Sequence, residues 1–315
     1  MNVLVALLLA ARFIVVSAND TTVTYRELVP ERVAADVSAG VYHYKGCPAI
    51  TPEMPLLVPA AAQLRGLKPH CPALRKTEYA TLTVKRAPRD PSVVSILFLG
   101  NSLTYYNEIP KMTERIAARE KRPLRVDAVT RSGITLEQLW NETTALEKIW
   151  TQHWDYVVVQ GGAGAAHPLY NAAAFNDYLA RFATEIRKSG ATPLYYLVWR
   201  PEGDINEFIA ASLASAKRVN MRVVPVAVAW REVSARHRLD QDGLHPNSFG
   251  AYLVACNVYS TIYDKPAHGA PFSFRDLAAQ HEIYDDGIRL QTITPEDARA
   301  IQDAAWRAVL SAKKQ

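Results

Sequence analysis

One stretch, residues 93–110, constrains the fold more than any other part of the chain. It opens with an apolar run rich in β-branched residues, 93–99, which is typical of a strand buried in a parallel sheet. Gly100 permits a sharp turn, and Asn101 and Ser102 lie on its crest, ahead of a predicted helix. Because ligands bind at the carboxyl edge of open α/β sheets, we interpret Ser102 as a nucleophile at that edge. The alternative is a turn serine that only hydrogen-bonds nearby backbone.

A second stretch, Gln241–Asn247, carries an acid and a histidine three residues apart, Asp242 and His245. A serine hydroxyl is a poor nucleophile unless a general base lies beside it, and that base needs a partner to fix its tautomer. Asp242 and His245 can supply both groups from one turn. The alternative is an aspartate that caps the turn and a histidine on the surface.

The two stretches together resemble the SGNH (GDSL-type) hydrolases, which carry G-D-S-L after their first strand and D-x-x-H near the C-terminus. The resemblance implies a flavodoxin-like, three-layer α/β/α fold with a five-stranded parallel sheet, and ester hydrolysis or acyl transfer without a metal ion or other cofactor. By this match Ser102 is the nucleophile, His245 the base and Asp242 the orienting acid. Gly133 matches the glycine of the second block, whose N–H helps the N–H of Ser102 to bind the oxyanion.

The chain departs from this family in two blocks. The first block has Asn101 where the family has aspartate, and the G-x-N-D of the third block is missing. Gln160 ends the apolar run 156–159 in its place, and its amide could donate the third hydrogen bond to the oxyanion. The alternative is a strand-end glutamine that bonds its own loop.

Apolar runs alternate with helical periodicity after the serine, as in a doubly wound sheet with right-handed crossovers. All the candidate catalytic residues follow predicted strands, so we expect them at the same edge of the sheet. The predicted strands are 93–99, 124–129, 156–159, 194–199 and 223–229, and the predicted helices are 109–121, 136–150, 172–189, 207–219, 249–263 and 295–313, the last capped by Thr294.

The substrate is predicted to be a small-molecule or carbohydrate ester, with a small acyl group such as acetyl. We expect Asn101, Gly161 and Trp199 to border it, since they lie at or near strand ends. The alternative for Gly161 is a tight turn, and the alternative for Trp199 is buried strand-end packing. Two other functions use the same residues or fold: acyl transfer to a saccharide, and a non-catalytic carbohydrate- or surface-binding module.

Residues 1–18 resemble a signal peptide, with an apolar run too short for a membrane span and small residues before position 19. Arg12 interrupts the run and no basic residue precedes it, so an uncleaved anchor is the alternative. Cleavage predicts a secreted or periplasmic protein without stable membrane insertion. Residues 19–91 then form a Pro-rich, partly β extension with an alternating run at 80–85, and residues 92–315 form the catalytic domain.

Three cysteines bear on the chemistry. Cys47 and Cys71 lie in the extension and could pair in an exported protein, which would contribute about 3 kcal/mol of stability. A metal site with the nearby histidines His43 and His70 is the alternative, although short ligand spacing is lacking. Cys256 lies in a predicted helix and is interpreted as a buried free thiol.

Composition limits the remaining classes of function. The chain has 315 residues, of which 49% are apolar, enough to bury a substantial core. Lys and Arg number 36 against 31 Asp and Glu, a formal charge of +5, and no dense basic run is present. These numbers disfavour nucleic-acid binding. Nothing in the sequence predicts an oligomeric state.

Overall fold

A computed structural model describes residues 13–29, 78–161, 167–199, 204–274 and 293–314. The chain divides into two compact units. The larger comprises residues 90–137 and 154–315, and the smaller comprises residues 1–89 and 138–153. Within the described ranges, no helix is both long enough and apolar enough to cross a membrane.

The smaller unit contains an antiparallel sheet in the order β1-β2-β3. Its strands are β1 (Phe13–Ala18), β2 (Thr22–Val29) and β3 (Glu78–Lys85). Asn19 closes the β1–β2 turn, because its Oδ1 accepts hydrogen bonds from the backbone N–H groups of Thr21 and Thr22. The predicted β character of residues 80–85 is confirmed by β3. Strand β1 occupies the end of the segment interpreted as a signal peptide, whose cleavage stays a prediction.

The larger unit contains the five-stranded parallel sheet that the sequence predicts. The spatial order β5-β4-β6-β7-β8 is the flavodoxin-like order, in which the chain switches sides between β4 and β6. Ligand sites form at such a switch point, outside the carboxyl ends of the strands. The strands are β4 (Val94–Gly100), β5 (Leu124–Thr130), β6 (Tyr156–Gly161), β7 (Thr192–Leu197) and β8 (Arg222–Val224).

Helices flank this sheet, and a short 3-10 turn, Tyr106–Glu108, follows the first of them. Two helices are set apart: Leu136–Glu142 begins in the larger unit and ends in the smaller one, and Ala145–Thr151 belongs to the smaller unit. The helices are α1 (Ser102–Tyr105), α2 (Ile109–Ile116), α3 (Leu136–Glu142), α4 (Ala145–Thr151), α5 (Ala172–Lys188), α6 (Ile205–Arg218), α7 (Val226–Val233), α8 (Ser248–Tyr263) and α9 (Pro295–Ala312).

Both faces of the sheet are buried, which explains why its strands have nearly continuous apolar sequences. Along β4, Ile96 and Phe98 belong to a core cluster that also includes residues of α2, α8 and α9. Leu97 and Leu99 are equally buried and point to the opposite face, because side chains alternate along a strand. On β7, the ring of Tyr195 contacts Phe175 of α5 at a centroid distance of 6.1 Å.

The predicted strand at 223–229 is wrong in its second half. Pro225 ends β8 after Val224, because proline has no N–H to give to the ladder, and the chain turns into α7. Buried Val226, Trp230 and Val233 recur at helical spacing, as expected of a helix with one face in the core.

Two predicted helices also differ from the structure. The helix predicted at 136–150 is two helices, and Thr143 lies at the break, where its Oγ1 accepts a hydrogen bond from the N–H of Ala145 at 3.2 Å. The helix predicted at 109–121 ends at Ile116. The C-terminal helix is confirmed, with the Thr294 side chain accepting a hydrogen bond from the N–H of Asp297 at 3.1 Å.

Candidate active site

The nucleophile turn, residues 100–102, joins β4 to α1 at the switch point of the sheet. Asn101 caps α1, because its Oδ1 accepts a hydrogen bond from the N–H of Leu103 at 3.1 Å. Its Nδ2 donates to the carbonyl of Ile134 at 3.4 Å. An aspartate could form the cap but could not donate, which gives a physical reason for asparagine in this block. The side chain of Asn101 is buried and serves the turn, and its place beside the substrate stays a prediction.

The acid–base loop, residues 240–247, is organised by Asp242. Its Oδ1 accepts hydrogen bonds from the backbone N–H groups of Leu244 at 2.9 Å and His245 at 2.7 Å, and its Oδ2 lies 2.6 Å from His245 Nδ1. Burial alone raises the pKa of Asp242, but the hydrogen bonds from His245 and Leu244 outweigh it and lower the pKa to about 2. The ionised carboxylate can only accept, so Nδ1 carries the proton and Nε2 is free to accept one.

The structure brings the two stretches together. His245 Nε2 lies 2.9 Å from Ser102 Oγ, although 143 positions separate the two residues along the chain. The ring of Tyr106 stacks on the imidazole at a centroid distance of 4.0 Å and an angle of 14°. Ser102, His245 and Asp242 therefore form one hydrogen-bonded series, with the imidazole held on one face by an aromatic ring.

Backbone contacts hold the acid–base loop against the rest of the site. The N–H of Gln241 donates to the carbonyl of His245 at 3.0 Å, and Asp240 forms an antiparallel bridge with Pro246. Asn107 donates its Nδ2 to the carbonyl of Pro246 at 2.7 Å, from a backbone in the left-handed region with φ of 52°. The loop is thus tied both to itself and to the segment that follows the nucleophile.

Trp199, which follows β7, contacts the acid–base loop from the core. Its side chain is 3% exposed and stacks on Trp230 at a centroid distance of 3.8 Å. Its Nε1 donates to the carbonyl of Leu244 at 2.9 Å, next to His245. Trp199 therefore supports the loop from the core, and its place beside the substrate stays a prediction.

Two glycines lie near the site in different settings. Gly133 follows β5 in an exposed turn with φ of 63°, a backbone conformation that favours glycine. Within the part of the chain that the structure describes, its N–H donates to no other backbone group. Gly161 is buried at the end of β6, where a Cβ would lie 2.9 Å from the side chain of Leu136. Gly161 therefore makes room for packing, and its place in the pocket stays a prediction.

Gln160 lies beside the nucleophile turn and is 2% exposed. Its Oε1 accepts two hydrogen bonds, from the N–H of Asn101 at 2.7 Å and from the Oγ1 of Thr104 at 3.0 Å. Its Nε2 is buried without a hydrogen-bond partner among the described residues. Thr104 is not recognisable from the sequence, because a threonine in a short helix carries no signal of a partner 56 positions away.

The remaining cysteine predictions divide by position. Cys47 and Cys71, with His43 and His70, lie outside the described residues. Cys256 is a buried free thiol, as predicted, and burial raises its pKa. Elsewhere in the described ranges, no three His, Cys, Asp or Glu side chains are grouped so that they could hold a metal ion.

Comparison with known proteins places the fold. No family model and no curated protein matches the chain, but solved structures do. A DUF4886 family protein from Bacteroides uniformis is 16% identical with a TM-score of 0.53, over 69% of this chain and 95% of that chain.

Two further structures align less closely. A candidate SGNH hydrolase from Slackia heliotrinireducens is 26% identical with a TM-score of 0.47, over 54% of this chain and 99% of that chain. An acetylxylan esterase from Geobacillus stearothermophilus is 16% identical with a TM-score of 0.45, over 59% of this chain and 98% of that chain. At these identities the likeness concerns the fold. The five-stranded parallel sheet and the likeness to the DUF4886 family protein confirm the flavodoxin-like α/β fold that the sequence predicts.

Proposed function

We propose that the chain is a serine esterase that removes a small acyl group, such as acetyl, from an ester of a carbohydrate. The observation that supports this proposal most is the series of two hydrogen bonds, 2.9 Å from Ser102 Oγ to His245 Nε2 and 2.6 Å from His245 Nδ1 to Asp242 Oδ2. Such a series activates a serine hydroxyl at neutral pH.

In the first step, Ser102 Oγ attacks the ester carbonyl while His245 Nε2 takes its proton. Asp242 keeps the proton on Nδ1 and stabilises the imidazolium that forms, since its own pKa of about 2 leaves it ionised. The carbonyl oxygen becomes an oxyanion. The C–O bond to the alcohol then breaks, and His245 returns the proton to the leaving oxygen.

Three donors near the nucleophile turn are proposed to hold the oxyanion: the N–H groups of Ser102 and Gly133, and the Nε2 of Gln160. The exposed Gly133 turn supports this assignment, as does Gln160 Nε2, which has no hydrogen-bond partner among the residues that the structure describes. One such donor typically stabilises the transition state by about 3 kcal/mol.

In the second step, His245 takes a proton from water, and the resulting nucleophile attacks the acyl-enzyme. Collapse of the second tetrahedral intermediate releases the acid and restores Ser102. An alcohol in place of water would give acyl transfer, which the same residues can carry out. Ser102 is 7% exposed, and this low exposure favours a short acyl group over a long one. Export by cleavage after residue 18 belongs to the same proposal, since it would bring the enzyme to extracellular carbohydrate.

The test measures hydrolysis of p-nitrophenyl acetate, butyrate and octanoate, with covalent labelling by a fluorophosphonate. Wild-type protein is compared with Ser102→Ala and, as a matched control, with Ser234→Ala, which removes an exposed hydroxyl at the end of α7. We expect acetate turnover and labelling in the wild type and the control, and neither in Ser102→Ala.

Other outcomes separate the alternatives. Labelling with turnover only in the presence of a saccharide acceptor would indicate a transferase. A folded wild-type protein that is neither labelled nor active would contradict the proposal and favour a binding module. Release of acetate from acetylated oligosaccharides, measured beside the model esters, tests the carbohydrate part of the proposal.

A further inference from the structure

The amide of Gln160 is held in one orientation by two donors that converge on its oxygen. The N–H of Asn101 lies 2.7 Å from Oε1, and the hydroxyl of Thr104, itself fully buried, lies 3.0 Å from the same atom. A backbone N–H can only donate, so a flipped amide would set two donors against each other. The oxygen must therefore face Asn101 and Thr104, and Nε2 must face away from them.

This orientation leaves Nε2 buried and without a partner in the described structure. A buried donor without an acceptor is costly, and natural proteins tolerate few of them. An acceptor that is present only during a reaction would satisfy it. The residue lies at the end of β6, next to the end of β4, so this donor is beside the backbone that carries Ser102.

Gly100 makes the convergence possible. A Cβ at this position would lie 2.3 Å from Thr104 Oγ1 and 2.5 Å from Gln160 Oε1. A real Cβ essentially never lies within 3.0 Å of a non-bonded heavy atom, so any side chain here would push the two polar groups apart. The absence of a side chain at Gly100 thus brings a hydroxyl from α1 within reach of an amide from β6.

We propose that Thr104 is a positioning residue of the oxyanion site: its hydroxyl fixes the Gln160 amide so that Nε2 is preorganised for the oxyanion. This inference rests on the proposed function and extends it from residues that touch the substrate to one that acts through Gln160. Preorganisation matters because a donor that must reorient during the reaction stabilises the transition state less.

The first arm of the test does not depend on activity. In ¹⁵N–¹H NMR spectra, the carboxamide signals of Gln160 are assigned by their loss in Gln160→Ala. We expect Thr104→Val to shift these signals and speed their hydrogen exchange, while Thr104→Ser, which keeps the hydroxyl, leaves them close to wild type. Unchanged carboxamide signals in Thr104→Val would overturn the proposal. Thr104→Ala provides the same comparison with less steric demand, should the valine variant not fold.

The second arm measures kinetics on the acetate ester. We expect Thr104→Val to lower kcat roughly tenfold with little change in KM, and Thr104→Ser to recover most of the loss. In a Gln160→Ala background, Thr104→Val should have almost no further effect, because the group that it positions is gone. A loss as large as in the wild-type background would overturn the proposal. Absence of turnover and labelling in wild type would instead contradict the proposed function, and the NMR arm would still decide the role of Thr104.

Discussion

The nucleophile turn and the acid–base loop meet at one hydrogen bond, yet they are built in different ways. The nucleophile turn is buried, since Ser102 is 7% exposed. It is held by a residue distant along the chain, because the side chain of Gln160 accepts a hydrogen bond from the N–H of Asn101. The acid–base loop is more open to solvent, since the side chain of Asp242 is 47% exposed. It is held mainly by its own residues, with Asp242 accepting two backbone N–H groups from within three positions.

This difference shows how the two halves of the site obtain their geometry. The acid–base loop is a local motif, in which one carboxylate both shapes the turn and orients His245. The nucleophile turn depends on tertiary contacts, because the Gln160 amide that supports it comes from another strand. We therefore expect substitutions in the acid–base loop to act mainly by removing charge. Substitutions in the nucleophile turn should act mainly by disrupting packing.

The largest expected effects remove the reacting groups themselves. Ser102→Ala should lower kcat for the acetate ester by about 10⁴-fold or more, because no nucleophile remains. Asp242→Asn should lower it by about 10²- to 10⁴-fold, since the amide leaves the backbone cap partly intact but no longer stabilises the imidazolium. Steady-state kinetics on purified variants measure both. Equal rates for wild type and Asp242→Asn would contradict the role of the carboxylate.

A matched pair of glycine substitutions compares the turn with the loop directly. Gly100→Ala sets a Cβ against Thr104 and Gln160, at 2.3 and 2.5 Å, and should destabilise the fold by about 1–3 kcal/mol while lowering kcat at least roughly tenfold. The Cβ of Gly243→Ala meets no atom of the described residues within 4 Å, its chain neighbours aside. Its φ of 89° makes the cost backbone strain of about 1–2 kcal/mol.

Urea unfolding and kcat together measure this comparison. We expect Gly243→Ala to retain more than about a third of the wild-type kcat at equal folded fraction, because the strain is local to an exposed turn. If the two variants lost activity in equal proportion, the contrast between a packed turn and a self-contained loop would be wrong.

The sequence predicts the local features of this site better than the distant ones. Asp242 and His245 are recognisable because the atoms that matter lie within three positions of each other. Trp199 bonds the carbonyl of Leu244 45 positions away, and the partner of Thr104 is 56 positions away, so neither pairing leaves a pattern in the chain. Strand ends were predictable for the same reason as the loop, since apolar runs and glycines are local signals.

Two errors in the fold have equally physical causes. Pro225 lies inside the predicted fifth strand and argues against it, because proline is confined to strand edges and ends, but the apolar run 223–229 outweighed this signal. The break at Thr143 was hidden, since apolar residues continue at helical spacing on both sides of it. In both places the apolar pattern predicts correctly which residues are buried, but it predicts the wrong backbone conformation.

A smaller effect is expected from the pH dependence of the acid–base loop. The pKa of Asp242 is lowered to about 2, so its ionised form is favoured in the folded state. A lowered pKa contributes stability that is fully present above the unfolded value, about 4, and is lost as the pH falls towards 2. The difference in urea midpoint between wild type and Asp242→Asn should therefore be constant from about pH 5 to pH 8 and shrink between about pH 4 and pH 2. A difference that already declines near pH 6 would contradict this assignment of the titrating group.

The smallest expected effect concerns the asparagine of the nucleophile turn. Asn101→Ala removes the cap of α1 and should lower the free energy of unfolding by about 0.5–2 kcal/mol. Asn101→Asp keeps the cap and loses only the donation to the Ile134 carbonyl, a hydrogen bond of 3.4 Å, so it should cost less, about 1 kcal/mol or below. Urea unfolding at pH 7 measures both. If Asn101→Asp lowered the free energy of unfolding more than Asn101→Ala, the repulsion between the carboxylate and the Ile134 carbonyl would exceed the stability that the cap contributes. Asparagine would then be required at this position because it is uncharged, and electrostatics would stabilise the turn as much as packing does.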